Sequence, residues 1–347
     1  MPVIDLYRPD DRAAVDTLFR IGFGDEAADA SARRWAWQFG QNPNNPPGGP
    51  QIWLAREGVA VIGQHASMPV RLWIGGREVA ASWGNDTIIA PDRQRQGIGV
   101  ALFDRWAESV DAALGLGLSA GSHRLFQKLG WPDPGPVPCL IRPLTHRALR
   151  QPGWSAVKNG VVSALAAPIL PVVARRRPLL AEVGPVERFG PSFTELWKRL
   201  APAFDFAVRR DADYLNWKFV SPPHVRYSIA VLKREGREAG YAVYRHIEEA
   251  RGRVTLLVDL MADPEDRDGV TTLLRWVDRE ARTNRSDKIR TFVMHAGYRR
   301  LMRDAWYFPV KSTLEFVVKI NAMSLPPSFF EDTRRWHVML GDSDQDR

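Results

Sequence analysis

The stretch that most constrains this chain is residues 86–102, where a β-branched segment runs into a basic, glycine-containing turn and then an apolar run. Thr87, Ile88 and Ile89 favour a strand. Pro91 ends that strand, because proline has no N–H group for the ladder of hydrogen bonds. The apolar run predicts a helix, whose N-terminus presents unpaired N–H groups and roughly half a positive charge. The sequence therefore predicts an anion site here, and the alternative is an ordinary connection whose glycines serve only geometry.

The turn within this stretch is six residues long. It consists of Gln94, Arg95, Gln96, Gly97, Ile98 and Gly99. The two glycines leave the backbone free of side chains where the turn meets the helix, and Arg95 and the nearby Arg93 add positive charge. We predict that the N–H groups of this turn bind a phosphate group.

Composition limits the class of protein. The 347 residues are enough for two domains, and 45% hydrophobic with 25% charged residues is a globular composition. Cys139 is the single cysteine, so the chain can form no internal disulfide framework and no cysteine-rich metal site. The first residues show no secretory signal pattern, and no apolar run reaches the ~18 residues of a membrane helix. We expect a cytoplasmic protein without a bound metal.

The net charge of +8 favours an anionic partner such as a CoA phosphate group. Nucleic acid is not favoured, because the 40 acidic residues are interspersed with the 48 basic ones. Residues 161–177 are apolar and then end in three arginines. A membrane contact through this segment is one interpretation, and a linker between domains is the preferred one, because two prolines interrupt any interfacial helix.

The order of predicted elements occurs twice along the chain. Trp37 matches Trp217, Asp86 matches Asp259, and Trp131 falls on Trp306. This common order indicates an old duplication. We predict an α/β (α+β) protein of two tandem domains, each with a mixed, mostly antiparallel sheet flanked by helices. The predicted boundaries are 1–148 for the first domain, 149–187 for a linker, 188–322 for the second domain and 323–347 for a tail, which we expect to be solvated and partly anchored.

The turn and its surroundings resemble a known family. Residues 94–99 fit the Gln/Arg-x-x-Gly-x-Gly/Ala signature of the GCN5-related N-acetyltransferase superfamily, with a long strand before it and a helix after it. The later Lys128-Leu129-Gly130-Trp131 resembles the Lys-Leu-Gly-Phe of that family. The resemblance covers about residues 1–145, and the second half is similar only in the order of its elements. It implies two acetyltransferase-type domains in tandem.

The resemblance also implies a co-substrate and a reaction. In the family, the turn holds the pyrophosphate of acetyl-CoA and the end of the preceding strand, here Ile88 and Ile89, pairs with the pantetheine arm. The implied activity is transfer of an acetyl or short acyl group from acyl-CoA to a small-molecule amine, by direct attack. At the corresponding place in the second half, residues 263–269 carry four carboxylates, which would repel a pyrophosphate. We predict that this half does not bind CoA.

Candidate catalytic residues follow from the needs of acyl transfer to an amine. The amine must lose a proton, and Asp86 is the first candidate base. Its alternative role is a structural carboxylate that pairs with an arginine. His65, on the preceding strand, is a second candidate because an imidazole can titrate near neutral pH, and His123 is another on the same ground.

The general acid is the point at which this sequence departs from the family's pattern. Many members of the family have a tyrosine where this chain has Phe126, which cannot donate a proton. Ser122, one turn earlier, is the candidate replacement. Two other functions stay open: a catalytically inactive tandem protein that binds a ligand, and an aminoacyl-tRNA-dependent transferase of the peptidoglycan-bridge type.

Overall fold

The computed structural model describes residues 2–149 and 178–344, together with positions 155, 157 and 160. The strands are β1 Val3–Leu6, β2 Ile52–Glu57, β3 Ala60–Ile74, β4 Arg77–Ile89, β5 Ala112–Leu116, β6 Cys139–Pro143, β7 Glu182–Val186, β8 Phe206–Val208, β9 Ser228–Arg234, β10 Arg237–Glu249, β11 Gly252–Ala262, β12 Lys288–Phe292, β13 Phe308–Val310, β14 Phe316–Ile320 and β15 Trp336–His337. The α-helices are α1 Arg12–Phe23, α2 Asp25–Trp35, α3 Ile98–Glu108, α4 Ala120–Lys128, α5 Ser192–Leu200, α6 Ala212–Phe219, α7 Arg267–Thr283, α8 Ala296–Asp304 and α9 Pro327–Glu331.

These strands form two mixed sheets. The first has the order β1-β2-β3-β4-β5-β14, with β8 pairing β3 and β15 pairing β8. The second has the order β13-β6-β12-β11-β10-β9-β7. Each sheet is mostly antiparallel and contains a parallel pair in the corresponding place, β4 with β5 and β11 with β12. The first sheet has a second parallel pair, β15 with β8. Two mixed sheets flanked by helices confirm the predicted fold class.

The two halves of the chain exchange a strand. β6, from the first half, pairs with β12 in the second sheet. β14, from the second half, pairs with β5 in the first sheet. The exchange crosses the boundary drawn between 1–148 and 188–322, so neither range contains a complete sheet, and the division into two domains stays a prediction.

Two tryptophans that the sequence matched meet where the halves contact each other. The rings of Trp37 and Trp217 stack with centroids 5.3 Å apart. The indole N–H of Trp37 donates to the carbonyl of Trp217 at 2.6 Å, and the indole N–H of Trp217 donates to the carbonyl of Trp37 at 2.9 Å. This reciprocal pair is what two similar units related by an approximate two-fold axis would give.

The C-terminal segment corrects one expectation. Residues 336–344 are not solvated, since Trp336, Met339 and Asp342 are each at most 1% exposed. Arg210 holds this segment through an ion pair with Asp342 at 2.8 Å. In the described residues, no helix is both long and apolar enough to cross a membrane. The proposed membrane contact, 161–177, lies outside the described residues.

Candidate active site

The parallel strands β4 and β5 separate towards the end of β4. β4 pairs with β5 only through Ala81–Trp83 and Ala112–Leu114, and the described strands show no further pairing between these two. A bulge on β4 lies beyond the paired part, opposite His65 of β3, where Asp86 has a φ of +46°. Such a φ is uncommon outside glycine, but aspartate tolerates it better than most residues. The strands therefore separate, and the last residues of β4 have no strand partner on this side among the described residues. The Gln94 side-chain amide donates to the Ile89 carbonyl there at 3.4 Å.

The six-residue turn lies at the end of this open edge, where β4 gives way to α3. Gly97 has a φ of +83° and caps α3 at its N-terminus. A Cβ at Gly97 or Gly99 would meet no atom within 4 Å, so the backbone there lies open to a ligand. Arg93 is bound to Glu57 at 3.2 Å and to Asp92 at 3.0 Å, which corrects the expectation that its charge serves the turn.

Arg95 is the exposed cation of the turn and has no ion-pair partner among the described residues. Its φ of +62° places its side chain on a left-handed turn immediately before the helix. The turn thus combines the dipole of α3 with one uncompensated guanidinium group, as an anion site requires.

Ile88 and Ile89 present different groups to the open edge. The Ala90 N–H donates to the Ile62 carbonyl of β3 at 2.9 Å. Because N–H directions alternate along an extended strand, the Ile88 N–H also faces β3 and the Ile89 backbone faces the open edge. The Ile88 side chain is buried against α1, since a Cβ at Gly22 would come within 2.0 Å of it. Pairing with a pantetheine arm stays a prediction and falls on Ile89.

Asp86 lies at the other end of the open edge, in the wall of a cavity of about 440 Å³. Its side chain is 3% exposed and accepts from the Arg34 guanidinium at 3.3 Å and from the Gln38 amide at 3.4 Å. The arginine pairing proposed from the sequence is therefore present. Apolar side chains of α1, Phe19 and Phe23, line the same cavity.

The sequence analysis did not assign several residues of this cavity to a site. They are Phe19, Phe23, Arg33, Arg34, Thr87 and His224, together with Gln38, which donates to Asp86. Arg34 and Gln38 lie one helical turn apart, and the Arg34 side chain donates to Gln38 at 2.8 Å. The spacing of Arg34 and Gln38, with Gln38 inside the apolar run Trp35–Phe39, is the signal that would have indicated this pair.

His65 is buried behind Asp86. Its Nδ1 lies 2.7 Å from the Thr87 hydroxyl, and its ring packs 4.5 Å from the ring of Trp106 and 5.1 Å from that of Phe103. Burial lowers the pKa of His65 to about 3, so the imidazole is neutral near pH 7. His65 reaches the cavity only through Thr87, and its catalytic role stays a prediction.

Ser122 and Phe126 lie on α4. The Ser119 hydroxyl accepts from the Ser122 N–H at 3.1 Å and lies 3.0 Å from the Ser122 hydroxyl, so both serines form the cap of this helix. Phe126 is 2% exposed and packs against Phe103 and Trp131. No hydrogen bond joins Ser122 to Asp86 in the described residues, and the general acid stays a prediction.

His123, the other candidate imidazole, faces two carboxylates. Its Nε2 lies 2.7 Å from Asp133, and its Nδ1 lies 3.8 Å from Glu315. These contacts favour a structural role on α4.

No protein-family model matches the chain, and no curated protein matches it by sequence. Solved structures do match. A GCN5-related N-acetyltransferase from Anabaena variabilis has a TM-score of 0.64 at 13% identity, over 92% of this chain and 73% of that one. The chain has the fold of these acetyltransferases. A probable N-acyltransferase from Enterococcus faecalis has a TM-score of 0.64 at 10% identity, over 92% and 72% of the two chains. Saccharomyces cerevisiae N-myristoyltransferase with bound myristoyl-CoA has a TM-score of 0.57 at 12% identity, over 92% and 84%.

Proposed function

We propose that the chain is an N-acyltransferase that moves an acetyl or other short acyl group from acyl-CoA to a small-molecule amine. The observation that carries this proposal is the open edge of β4, with an anion-binding turn at one end and a cavity beside Asp86 at the other. Thr87, Ile88 and Ile89 separate Asp86 from the end of β4, a rise of about 10 Å at ~3.3 Å per extended residue. Acyl-CoA has the matching form of a phosphate group, an extended arm and a reactive end.

Each part of this site has one task in the proposed reaction. The N–H groups of residues 94–99 bind the pyrophosphate, and the Ile89 backbone pairs with the pantetheine arm. The Asp86 carboxylate attracts the amine within the cavity and accepts its proton, directly or through a water molecule. The amine nitrogen then attacks the thioester carbon, and the thiolate leaves. Ser122 or water protonates the thiolate, because Phe126 cannot.

We also infer that the chain consists of two such units in tandem, 1–148 and 188–322. The strand exchange and the reciprocal Trp37–Trp217 pair support this inference. The second unit has carboxylates where the first has its turn, and the Asp266 side chain accepts from the Gly269 N–H at the start of α7. This carboxylate occupies the helix N-terminus that a phosphate would need, so we assign acyl-CoA to the first unit alone.

Gly99→Glu tests the assignment of the turn. It places a carboxylate in open space at the start of α3, and we expect the dissociation constant for CoA to rise at least tenfold. Gly48→Glu is the matched control, because a Cβ at Gly48 also meets no atom within 4 Å and the charge change is the same. Calorimetric titration of CoA into the full chain measures both. Equal CoA affinity of the two variants would contradict the assignment.

A catalytically inactive ligand-binding protein is the second candidate. It is favoured by the burial of Phe126 and by the use of Ser122 in a helix cap. Thiol release from acetyl-CoA in the presence of a panel of amines separates the two candidates. CoA binding without release above the solvent rate for any amine would support the second.

A further inference from the structure

His224 belongs to the second half of the chain, yet it lies in the wall of the cavity beside Asp86. It follows α6 and precedes β9, whereas Asp86 and Arg34 in the same wall come from β4 and α2. Neither of the imidazoles considered on sequence, His65 and His123, is in this wall. Among the described residues that line the cavity, His224 is therefore the one imidazole, and the second half supplies it.

The backbone before His224 has few conformations open to it. The chain leaves α6 through Ser221, whose N–H donates to the carbonyl of Asn216 at 2.9 Å. Pro222 and Pro223 come next, and proline fixes its own φ at about −65°. A side chain that follows such a segment is held at the cavity before any ligand binds, which lowers the entropy lost on binding.

The ring of His224 packs against an indole of the first half. Its centroid lies 5.2 Å from that of Trp37, at an interplanar angle of 53°. Trp37 is itself fixed by the two reciprocal hydrogen bonds with Trp217. Because an aromatic ring attracts a cation within about 6 Å of its centroid, this contact stabilises the imidazole when it carries a proton.

Charged groups of both halves surround the imidazole. Asp86 and Arg34 form a buried ion pair in the same cavity, and Arg33 is exposed in its wall. The Lys218 ammonium group lies 5.9 Å from the centroid of the same indole, and Arg226 follows two residues after His224. The affinity of this ring for a proton therefore depends on the contact between the halves.

Asp86 alone is poorly placed to carry a proton out of the site. Both of its oxygens already accept hydrogen bonds, Oδ1 from Arg34 at 3.3 Å and Oδ2 from Gln38 at 3.4 Å, and its side chain is 3% exposed. His224 is exposed, and so is Phe23 of the same cavity, at 50%. The cavity thus opens to water where an imidazole lies, and imidazole is the side chain suited to exchange protons with water near neutral pH.

We propose that His224 is the second proton acceptor of this site. The proton that leaves the amine passes from Asp86 to a ring nitrogen of His224, directly or through a water molecule, and then to solvent. This step belongs to the acyl transfer proposed above and rests on it. It gives the second half, to which no CoA is assigned, a catalytic residue in the first.

The protons and electrons of this step balance. A protonated primary amine has three N–H bonds, and the amide product keeps one. The first proton reaches the imidazole, and the lone pair that it frees attacks the thioester carbon. The carbon–sulfur bond breaks with its electron pair on sulfur, the nitrogen loses a second proton, and the thiolate gains one. Nothing is oxidised or reduced.

His224→Gln tests this step by turnover, because glutamine is polar and similar in size but does not titrate. The acceptor is the best amine of a panel of phenethylamine, tyramine, spermidine and glucosamine. We expect kcat at pH 7 to fall at least tenfold, since a positioned base contributes roughly 10²–10⁴-fold and Asp86 remains. The KM for acetyl-CoA should not change. The loss should shrink towards pH 9, where more of the amine is already neutral.

His146→Gln is the matched control. His146 is also exposed, and it is not among the residues that line the cavity. We expect this variant to keep the turnover and the pH profile of the parent chain. Equal turnover of His224→Gln and His146→Gln would overturn the role of His224.

His224→Ala separates a ring that takes up a proton from one that only packs on Trp37. Because the side chain is exposed, free imidazole can enter the space that it leaves. We expect added imidazole to restore much of the lost turnover in His224→Ala and to leave the parent chain and His146→Ala unchanged. A loss of turnover that imidazole does not restore would assign His224 a packing role and overturn the proposal.

Nuclear magnetic resonance gives a measurement that needs no acyl-CoA. The signal of the His224 Cε1 atom is the one, among seven histidines, that His224→Gln removes. We expect the amine that supports turnover to shift this signal in the full chain and to leave that of His146 in place. An unshifted His224 signal would overturn the proposal.

The outcomes for this step and for the acyl transfer are distinguishable. No turnover of the parent chain with any amine of the panel would overturn the acyl transfer and this step with it. Turnover of the parent chain that His224→Gln and His224→Ala leave unchanged would overturn this step alone.

Discussion

At the scale of single residues, Asp86 is the position whose two roles most need to be separated. Its carboxylate pairs with Arg34 in a buried setting and also faces a cavity. Asp86 lies at the bulge of β4, where the strand departs from regular pairing with β3. The matched Asp259 of the second half is also buried and pairs with Arg210 at 3.1 Å, but it is not among the residues that line the cavity beside Asp86.

Asp86→Asn separates the roles. Asparagine tolerates the φ of +46°, but it leaves the buried Arg34 guanidinium without this carboxylate, which costs roughly 3–5 kcal/mol. We expect kcat to fall at least a hundredfold with CoA affinity unchanged. Asp259→Asn is the matched control, and it should lose similar stability while keeping turnover. Turnover of both variants is measured at a temperature at which both are folded. Equal kcat in the two variants would assign Asp86 a structural role alone.

At the scale of elements, the sequence predicts local secondary structure but not the contacts between residues that are far apart along the chain. The strand, the turn and the start of α3 are predicted correctly, because β-branched residues, proline and glycine act on their own neighbours. The apolar pattern after Gly99 also predicts helix as far as Leu114, which is wrong, since the helix ends at Glu108 and Ala112–Leu116 form β5. Arg34 lies 52 residues from Asp86 in the chain, and no local pattern predicts that the two side chains form an ion pair. The exchange of β6 and β14 is missed for the same reason, since an apolar five-residue strand does not specify its partner.

The exchange leads to a prediction about fragments. Residues 1–148 lack β14, and residues 178–347 lack β6, so each fragment leaves the edge of a central parallel strand without its neighbour. We expect each fragment alone to be poorly folded and the mixture to recover the far-ultraviolet spectrum and cooperative melting of the full chain. Two fragments that fold separately and do not associate would contradict the exchange.

At the scale of the whole molecule, the C-terminal segment ties the two sheets together. β15 pairs with β8, which itself pairs with β3 of the first sheet. Beyond β15, Asp342 binds Arg210, which also holds Asp259 of the second sheet. Burial raises the pKa of Asp342 to about 6. The guanidinium of Arg210 lowers this pKa only in part, because the nearby carboxylate of Asp259 raises it. We therefore expect the packing of this segment to depend on pH.

Three buried imidazoles act in the opposite sense to Asp342. Burial lowers the pKa of His65 and His337 to about 3 and that of His295 to about 4, against 6.5 in the unfolded chain. Between pH 6 and pH 4 the unfolded chain therefore binds protons at these imidazoles that the folded chain does not. Asp342 is protonated first in the folded chain, and it offsets one of the three. Stability should fall with acid by roughly 1.4 kcal/mol per pH unit for each of about two net protons.

Urea unfolding at pH 7, 6, 5 and 4 measures this slope, and two variants should change it in opposite directions. His65→Gln removes one proton that only the unfolded chain binds, so the slope should become shallower by about one proton. Asp342→Asn removes the opposing group, so the slope should become steeper, and at pH 7 the variant should gain stability because Arg210 then faces Asp259 alone. If both variants keep the slope of the parent chain, these buried groups do not set its acid sensitivity.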